Sequence, residues 1–383
     1  MPHASATSLK GLPTPALILD RTRLDRNIAR LAGRMTALGA TLRPHMKTAK
    51  SIDVARHVFP HGPGPVTVST MAEADYFADH GCRDMTYAVG IAPHTASRAM
   101  TLRKAGINIK VLLDTVEQAA FLAEAGQAAG VTPAAFIEID CDGHRGGLRV
   151  DDDKLLEVAA ALRDGGSALA GVLTHAGESY ALHTPEALAA AAENERAVAV
   201  KAAERLRAAG HPCPIVSVGS TPTAHFAAAL DGVTEVRAGV YMFFDLVMHG
   251  IGVCATDDIA LSVLSTVIGA KPERGWIIVD AGWMALSRDR GTAGQRVDQG
   301  YGLVCDLAGR IYPDLIVAHA NQEHGTLAIR SGSSQPLPDL PVGTKLRILP
   351  NHACATGAQH DRYHVVAGES AAIEAQWPRI RGW

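Results

Sequence analysis

The sequence has no long apolar run, no excess of one charge and no secretion signal. Its 36 Lys and Arg face 39 Asp and Glu, a net charge of -3, which gives no electrostatic reason to expect nucleic acid or an anionic membrane as partner. No apolar stretch reaches the length of a membrane span. The first residues do not follow the charged-then-apolar order of a signal peptide. We therefore expect a soluble protein located in the cytoplasm.

The six cysteines are few and scattered, and no two form a CxxC pair. That spacing excludes a disulfide framework and favours reduced thiols. We interpret five of them as small buried hydrophobic residues. Only Cys354 has a neighbour, His352, with which it could form a metal site.

With 383 residues, two domains are expected. Between about residue 41 and 245, short β-type runs alternate with alanine-rich helical segments such as Lys154–Arg163 and Pro185–Ala209. The predicted strands are Leu42–His45, Val66–Thr70, Met85–Val89, Ile109–Asp114, Phe136–Asp140, Leu169–His175, Ile215–Ser220 and Glu235–Phe243. Eight strands with intervening helices predict a TIM-like (β/α)8 barrel; a doubly wound open sheet would show the same alternation.

After about residue 250 the alanine-rich helices disappear. Apolar runs separated by Gly, Pro and Asp predict an antiparallel β domain there, with strands at Ile259–Ile268, Gly275–Asp280, Gly302–Asp306, Leu315–His319 and Lys345–Leu349. The opening segment Ala16–Asp20 precedes the first helix, Thr22–Leu38, and could pair with that domain. The predicted organisation is a barrel over 21–248 and a β domain made of 1–20 and 249–383.

Lys47 lies just beyond the first predicted barrel strand, where side chains of such barrels face the active site. A partly desolvated lysine can lose its proton and form a Schiff base with a carbonyl cofactor. A lysine is more often a solvated surface charge. Lys50 is the competing choice and is expected to be the more solvated of the two.

Two segments late in the barrel predict a phosphate site. Val218–Thr223 ends the seventh strand with small hydroxyl residues that enter a helix, and backbone N–H groups there can bind a dianion. Arg237–Tyr241 follows in the eighth strand, where Gly239 would let the backbone approach closely. The first segment alone would be an ordinary helix cap, and the pair of segments favours phosphate.

Three further side chains follow strands of the barrel. Arg145 could donate to a phenolate oxygen, or lie exposed on a glycine-rich turn. His175 could pack under a cofactor ring, with Tyr180 closing the site, or be an ordinary core histidine.

His352 and Cys354 lie two residues apart, so on a strand their side chains would share one face. Imidazole with thiolate suits a borderline-soft divalent ion such as zinc. Two protein ligands leave room for water or substrate, as in catalytic sites. An isolated pair of this kind is by itself a weak signal.

Five blocks, in this order, resemble the D-serine dehydratase/D-threonine aldolase family of pyridoxal-phosphate (PLP) enzymes, which are related to alanine racemase (fold type III). The blocks are Pro44–Lys50, Gly219–Thr223, Glu235–Tyr241, Gln322–Gly325 and Pro350–Thr356. The resemblance covers essentially the whole chain and implies a TIM-like barrel followed by a β domain.

The resemblance also implies roles for single residues. Lys47 would bind PLP covalently, and Arg145 would lie near the cofactor's O3′. The remaining expected cofactor contacts are His175, Tyr180, Gly219, Ser220, Thr221, Arg237, Gly239, Val240 and Tyr241. Arg237 or Tyr180 would contact the pyridine nitrogen. His352 and Cys354 would bind a divalent ion (Zn, Mn, Co or Mg).

The activity implied is a dehydratase that converts a D-3-hydroxy amino acid, with 3-hydroxyaspartate as the expected substrate, to a keto acid and ammonia. The His-x-Cys pair favours dehydratases, since the aldolase branch shows His-x-Asp. A D-serine dehydratase or an aldolase giving glycine and an aldehyde is the alternative; a racemase or a non-catalytic PLP carrier would not need the metal pair. Arg288, Arg290 and His183 are candidates to bind a second substrate carboxylate. The resemblance implies a homodimer.

Overall fold

A computed structural model describes residues 7–383, which divide into two units. The β unit runs to Ala29 and from Val240 to Arg379; the barrel unit runs from Arg30 to Gly239 and includes Ile380–Trp383. The chain begins with strand β1 (Ala16–Asp20) and helix α1 (Arg21–Ala37), and the division falls inside α1. The second change of unit precedes the boundary predicted at residue 248.

Eight parallel strands form the barrel unit. They are β2 (Thr41–Pro44), β3 (Val66–Val68), β4 (Asp84–Gly90), β5 (Asn108–Leu113), β6 (Ala134–Ile139), β7 (Ala168–Thr174), β8 (Ile215–Val218) and β9 (Glu235–Ala238). The order is β2-β9-β8-β7-β6-β5-β4-β3, and a parallel bridge from His45 to Thr67 closes the ring between β2 and β3. All carboxyl ends of the strands therefore lie at one rim, where sites of such barrels are built.

Seven helices alternate with these strands: α2 (Ile52–Val58), α3 (Met71–Asp79), α4 (Pro93–Lys104), α5 (Val116–Ala129), α6 (Lys154–Asp164), α7 (Pro185–Ala208) and α8 (Thr221–Phe226). Local sequence explains their ends. Thr115 and Gln118 form a capping box at the start of α5, and Gly130 ends that helix in the left-handed conformation. Thr184 caps α7, whose first residue is a proline.

Antiparallel strands dominate the β unit. They are β10 (Leu261–Lys271), β11 (Trp276–Val279), β12 (Gly302–Cys305), β13 (Ile311–Ala320), β14 (Gly325–Ile329), β15 (Lys345–Pro350), β16 (Arg362–Val366) and β17 (Ala375–Pro378). Six strands close into a ring in the order β11-β14-β13-β12-β15-β10, because β10 also pairs with β11. Strand β1 pairs with β10 and β16, as expected of the opening segment. Three short helices complete the unit: α9 (Leu246–Gly250), α10 (Trp283–Leu286) and α11 (Ala353–Gly357).

The predicted fold class is confirmed, with corrections to single elements. The eighth barrel strand ends at Ala238 rather than Phe243, and Val240–Met242 form a 3-10 turn. The run 240–244 is wholly buried, and an apolar run of that length does not distinguish strand from other buried backbone. Strands β14, β16 and β17 were not predicted. No helix within residues 7–383 is long and apolar enough to cross a membrane.

Candidate active site

Lys47 lies in the turn that follows β2, at the rim formed by the carboxyl ends of the strands. It is exposed, and within residues 7–383 its amino group has no ion pair. Lys50 differs: its Nζ lies 2.9 Å from Oε1 of the fully buried Glu73. The prediction that Lys50 is solvated is therefore wrong, because a buried carboxylate holds its charge. Of the two lysines, Lys47 is the one available to react.

The barrel rim brings basic side chains from several strands together around His45. Burial holds the pKa of His45 well below its usual range, and the charges of Lys47, Arg237 and Arg145 lower it further. His45 and Lys47 follow β2, whereas Arg237 lies on β9 and Arg145 follows β6. A site with this excess of positive charge suits an anionic ligand.

His175 lies beside β8 with a defined protonation state. Its Nδ1 lies 2.9 Å from the carbonyl oxygen of Gly219, so Nδ1–H is the donor and Nε2 carries no proton in the neutral ring. Burial lowers the pKa of His175 to about 3, and nearby cations act in the same direction. The Tyr180 ring lies 6.3 Å away, centroid to centroid, at an angle of 48°. A neutral flat ring at this rim can pack against a cofactor.

Arg237 is buried and fully anchored. Its Nη1 donates to Ser217 Oγ at 2.7 Å and its Nη2 to the Thr174 carbonyl at 2.6 Å. Burial lowers its pKa to about 10, so the guanidinium stays charged at neutral pH. Ser217 Oγ in turn donates to Glu235 Oε1 at 2.6 Å. These hydrogen bonds hold the guanidinium cation at a fixed position inside the barrel.

The loop after β8 contains the hydroxyl residues that were predicted to bind phosphate. Ser220 caps α8 in a reciprocal capping box with Thr223. Thr221 Oγ1 is buried and has no hydrogen-bond partner within the described chain, and the first N–H groups of a helix have no partner in the helix. Gly219 was predicted to contact the cofactor; its N–H donates to Glu195 and its carbonyl accepts from His175. Its backbone groups are therefore used inside the protein.

The structure gives a reason for glycine at position 239 that does not involve a ligand. A Cβ on Gly239 would lie 2.8 Å from the carbonyl oxygen of His45, so the residue is glycine because the backbone meets its own chain. Val240 and Tyr241 follow in the 3-10 turn, on the β-unit side of the division. The Tyr241 hydroxyl is buried without a partner within residues 7–383, and burial raises its pKa. An unpaired buried hydroxyl is costly unless something binds it.

Arg145 lies on the glycine-rich turn after β6, and about half of its side chain is exposed. Its Nη2 lies 3.2 Å from Glu138 Oε1, and burial raises the pKa of Glu138. Gly147 has a φ of +105°, and a Cβ there would lie 2.8 Å from the Asp140 amide, so the turn requires glycine. Both interpretations of Arg145 fit this geometry.

A second group of predicted site residues lies in the β unit. The sequence analysis considered His352 and Cys354 on a strand. Instead, His352 lies at the N-terminal end of α11, and Cys354 lies inside that helix. Their side chains are nevertheless within hydrogen-bond reach of each other. Asp289 Oδ2 lies 2.7 Å from Nδ1 of His352. A carboxylate on Nδ1 leaves Nε2 for a metal, which is the usual arrangement behind a metal-binding histidine.

The electrostatics at His352 favour a positive charge. Burial lowers its pKa, but the hydrogen bonds to Asp289 and Cys354 outweigh burial and raise the pKa to about 11. Asp245 is buried nearby and accepts from the amides of Ala353 and Met248, both at 2.9 Å. The donor set therefore fits a divalent ion. Residues 7–383 contain no group of three or more His, Cys, Asp or Glu side chains arranged for a metal. Asp245 and Asp289 were not predicted as site residues, because only folding brings them to His352.

The two candidate arginines for a second carboxylate differ. Arg290 Nη2 lies 2.5 Å from Asp298 Oδ2, so its charge is already paired. Arg288 is exposed, stacks over the Trp283 ring at 5.3 Å and has no ion pair in the described part of the chain. It directly precedes Asp289, the partner of His352.

Comparison with known proteins identifies the family. The alanine racemase N-terminal domain family matches residues 19–247, and the serine dehydratase domain family matches residues 260–366. The chain belongs to the D-serine dehydratase/alanine racemase-like family. The family predicted from the five sequence blocks is thereby confirmed, and alanine racemase-like folds of this type imply PLP as cofactor.

Full-length relatives of this family are lyases by name. The D-threo-3-hydroxyaspartate dehydratase of Delftia sp. (strain HT23) is 55% identical over 98% of this chain and 99% of its own. Its solved structure has a TM-score of 0.94 and covers 99% of this chain and all of that one. A cysteine-to-alanine mutant of a D-threo-3-hydroxyaspartate dehydratase was solved in a metal-free form. The D-serine dehydratase of Dictyostelium discoideum is 28% identical, over 97% of each chain. The D-threonine aldolase from Filomicrobium marinum is 26% identical, with a TM-score of 0.83, covering 99% and 98%.

Proposed function

We propose that this chain is a PLP- and divalent-metal-dependent dehydratase of D-threo-3-hydroxyaspartate, with oxaloacetate and ammonia as products. The observation that carries the proposal is the identity of 55% with the Delftia dehydratase over nearly the full length of both chains. The barrel rim and the His352–Cys354 pair support it, because an elimination of this kind needs a carbonyl cofactor and gains from a Lewis acid.

The barrel rim fits PLP on several counts. Lys47 has a free amino group for the covalent bond, and the buried Thr221 Oγ1 has no partner within the described chain and can donate to a phosphate. When bound, PLP withdraws electrons from the substrate's Cα and so acidifies its proton. Neutral His175 would pack against the ring. Either Arg237 or Tyr180 would face the pyridine nitrogen.

The residues of this chain then have defined tasks. Nζ of Lys47 takes the proton from Cα of the substrate, since a lysine amine at the rim is the group best suited as base. Anchored Arg237 stays protonated throughout, because its pKa of about 10 and its two acceptors hold the charge in place. His175 keeps its proton on Nδ1 and donates to Gly219, so it does not exchange protons with the substrate.

His352 Nε2 and Cys354 Sγ would hold the divalent ion, and the ion would act as a Lewis acid on the substrate's β-hydroxyl. Asp289 orients the imidazole from its other nitrogen. The metal-free form of the relative's cysteine mutant supports a metal at this pair of residues. The ion itself, among Zn, Mn, Co and Mg, is assigned by its preference for imidazole and thiolate, which favours zinc.

The second carboxylate of 3-hydroxyaspartate needs a cation that D-serine does not need. Arg288 supports this substrate because its guanidinium has no ion pair and lies next to the residue that bonds His352. Arg290 is a poorer choice, since Asp298 already neutralises it.

The test is analysis of products after incubation of the purified protein with D-threo-3-hydroxyaspartate, with and without a chelator. We expect oxaloacetate and ammonia, and loss of both with the chelator. Glycine and glyoxylate would instead mean an aldolase, and turnover of D-serine alone would mean a D-serine dehydratase. Unchanged turnover with the chelator would contradict the metal role. The homodimer and the cytoplasmic location remain predictions.

A further inference from the structure

Helix α7 carries one charged residue in its buried stripe. The buried positions of this helix are Leu188, Ala192, Glu195, Ala199, Ala202, Ala203 and Leu206. Their spacing of three or four residues is that of the apolar face of a helix. Glu195 is 1% exposed and has no ion pair within residues 7–383. A buried carboxylate without a cation is rare unless hydrogen bonds satisfy it.

Three donors satisfy Glu195, and they come from three different segments of the rim. Oε1 accepts from the amide of Ala176, after β7, and from the amide of Gly219, after β8, both at 2.9 Å. Oε2 accepts from Thr223 Oγ1, in α8, at 2.7 Å. The carboxylate therefore joins two neighbouring rim loops and the helix at which phosphate is proposed to bind.

Each of these three bonds lies next to a proposed cofactor contact. Ala176 follows His175, and Gly219 is the residue whose carbonyl holds His175 Nδ1. Thr223 is the reciprocal partner of Ser220 in the capping box. The same helix extends this support, because Asn194 donates to the Cys141 carbonyl at 2.8 Å in the loop that precedes Arg145. No other described side chain bonds the loops after both β7 and β8 through their backbone amides.

We propose that Glu195 is a positioning residue for the cofactor: it holds the loops after β7 and β8 at the separation that lets His175 meet the ring while Ser220 and Thr221 meet the phosphate. This inference rests on the proposed function. The role we assign is geometric, because all three hydrogen-bond donors are neutral groups; the charge of Arg237 in addition favours the ionised carboxylate. A glutamine can make the same three bonds: its carbonyl accepts the two amides, and its amino group donates to Thr223 Oγ1.

The experiment compares Glu195→Ala with Glu195→Gln, each as the full-length protein, freed of cofactor and titrated with PLP. Removing the acceptor leaves two buried amides unpaired and takes one of the partners of the Thr223 hydroxyl away, so we expect Glu195→Ala to weaken PLP binding about tenfold to a hundredfold. The ³¹P resonance of bound PLP should shift in the same variant. Glu195→Gln should keep the affinity within about threefold and the resonance unchanged. Glu204→Ala is the matched control, since Glu204 lies on the exposed face of the same helix.

Two results would overturn the inference. One is a Glu195→Ala protein with unchanged affinity and ³¹P resonance; the other is a Glu195→Gln protein as impaired as Glu195→Ala, which would make the charge decisive. If Glu195→Ala does not fold, Thr223→Ala removes one of the three bonds, and the same two readouts should move in the same direction by a smaller amount. Failure of the proposed function would look different, because the unsubstituted chain and the Glu204→Ala control would then take up no PLP either.

Discussion

Each of the two units contains a buried carboxylate that accepts backbone amides, and the two carboxylates differ in their surroundings. Glu195 in the barrel unit and Asp245 in the β unit are each 1% exposed, and each accepts two backbone amides. Glu195 lies near the loop proposed to bind a phosphate. Asp245 lies near His352, whose surroundings favour positive charge. A cation favours the charged form of each carboxylate, Arg237 for Glu195 and His352 for Asp245, but only Asp245 lies beside a proposed metal ligand.

The difference between the two carboxylates predicts which substitutions each position tolerates. An amide keeps the geometry of a carboxylate and removes its charge. Where only geometry matters, the amide should suffice. Where a cation is to be balanced in a buried place, the lost charge should be felt, because electrostatic effects are larger away from water.

The largest effect should come from removing Lys47. We expect Lys47→Ala to lose the near-visible absorbance of bound PLP and to lower kcat by about a thousandfold or more, because base and covalent anchor vanish together. Its metal content should be unchanged. Absorbance spectra and metal analysis of one preparation check both statements. Full absorbance and activity in this variant would contradict the assignment of Lys47.

The complementary change is Cys354→Ala. Loss of one of two protein ligands should lower bound metal and turnover by at least about a hundredfold, while PLP absorbance stays. Metal analysis by mass spectrometry measures this directly, and Cys82→Ala, a buried cysteine in the barrel unit, is the control. A Cys354→Ala protein with full metal content would show that the metal lies elsewhere.

A smaller effect should distinguish the two buried carboxylates. We expect Asp245→Asn to weaken metal binding about tenfold, the lower end for changes behind metal ligands. Glu195→Gln should leave PLP binding nearly unchanged. Competition with a metal-sensitive dye and titration with PLP provide the two numbers. Equal tolerance of both substitutions would remove the contrast between geometric and electrostatic roles.

The smallest effect concerns pH. The pKa of His175 is about 3 in the folded protein against an ordinary 6.5, mainly because of burial. Between these values the unfolded chain binds a proton that the folded chain does not, so the free energy of unfolding falls as pH falls from about 6.5 toward 3. His175→Asn should flatten this dependence by less than about 1.4 kcal/mol per pH unit. Urea unfolding between pH 4 and 7 measures it; an unchanged slope would mean that other groups govern acid stability.

Much of the fold was predictable, because the barrel strands are short and buried and are bounded by residues that interrupt strands, such as glycine and proline. The runs that begin at Val66 and Ile215 start where the strands β3 and β8 start. The edge of the β unit was not predictable, since β16 and β17 carry polar residues whose burial depends on their neighbours. The spacing of His352 and Cys354 predicted that their side chains lie close together, but the helix that carries Cys354 was not predicted, because a one-turn helix leaves little mark in sequence.

The amino-acid sequence by itself determined the alternation of strands and helices, the position of Lys47 after a strand, and the pairing of histidine with cysteine. These are local properties, set by periodicity and by the identity of neighbours. Only the tertiary structure decided that Lys50 is held by Glu73, that Gly219 bonds His175 and Glu195, and that Asp289 bonds His352. The reason is that hydrogen-bond partners far apart in the chain are chosen by packing, which brings each buried polar group to the one partner within reach.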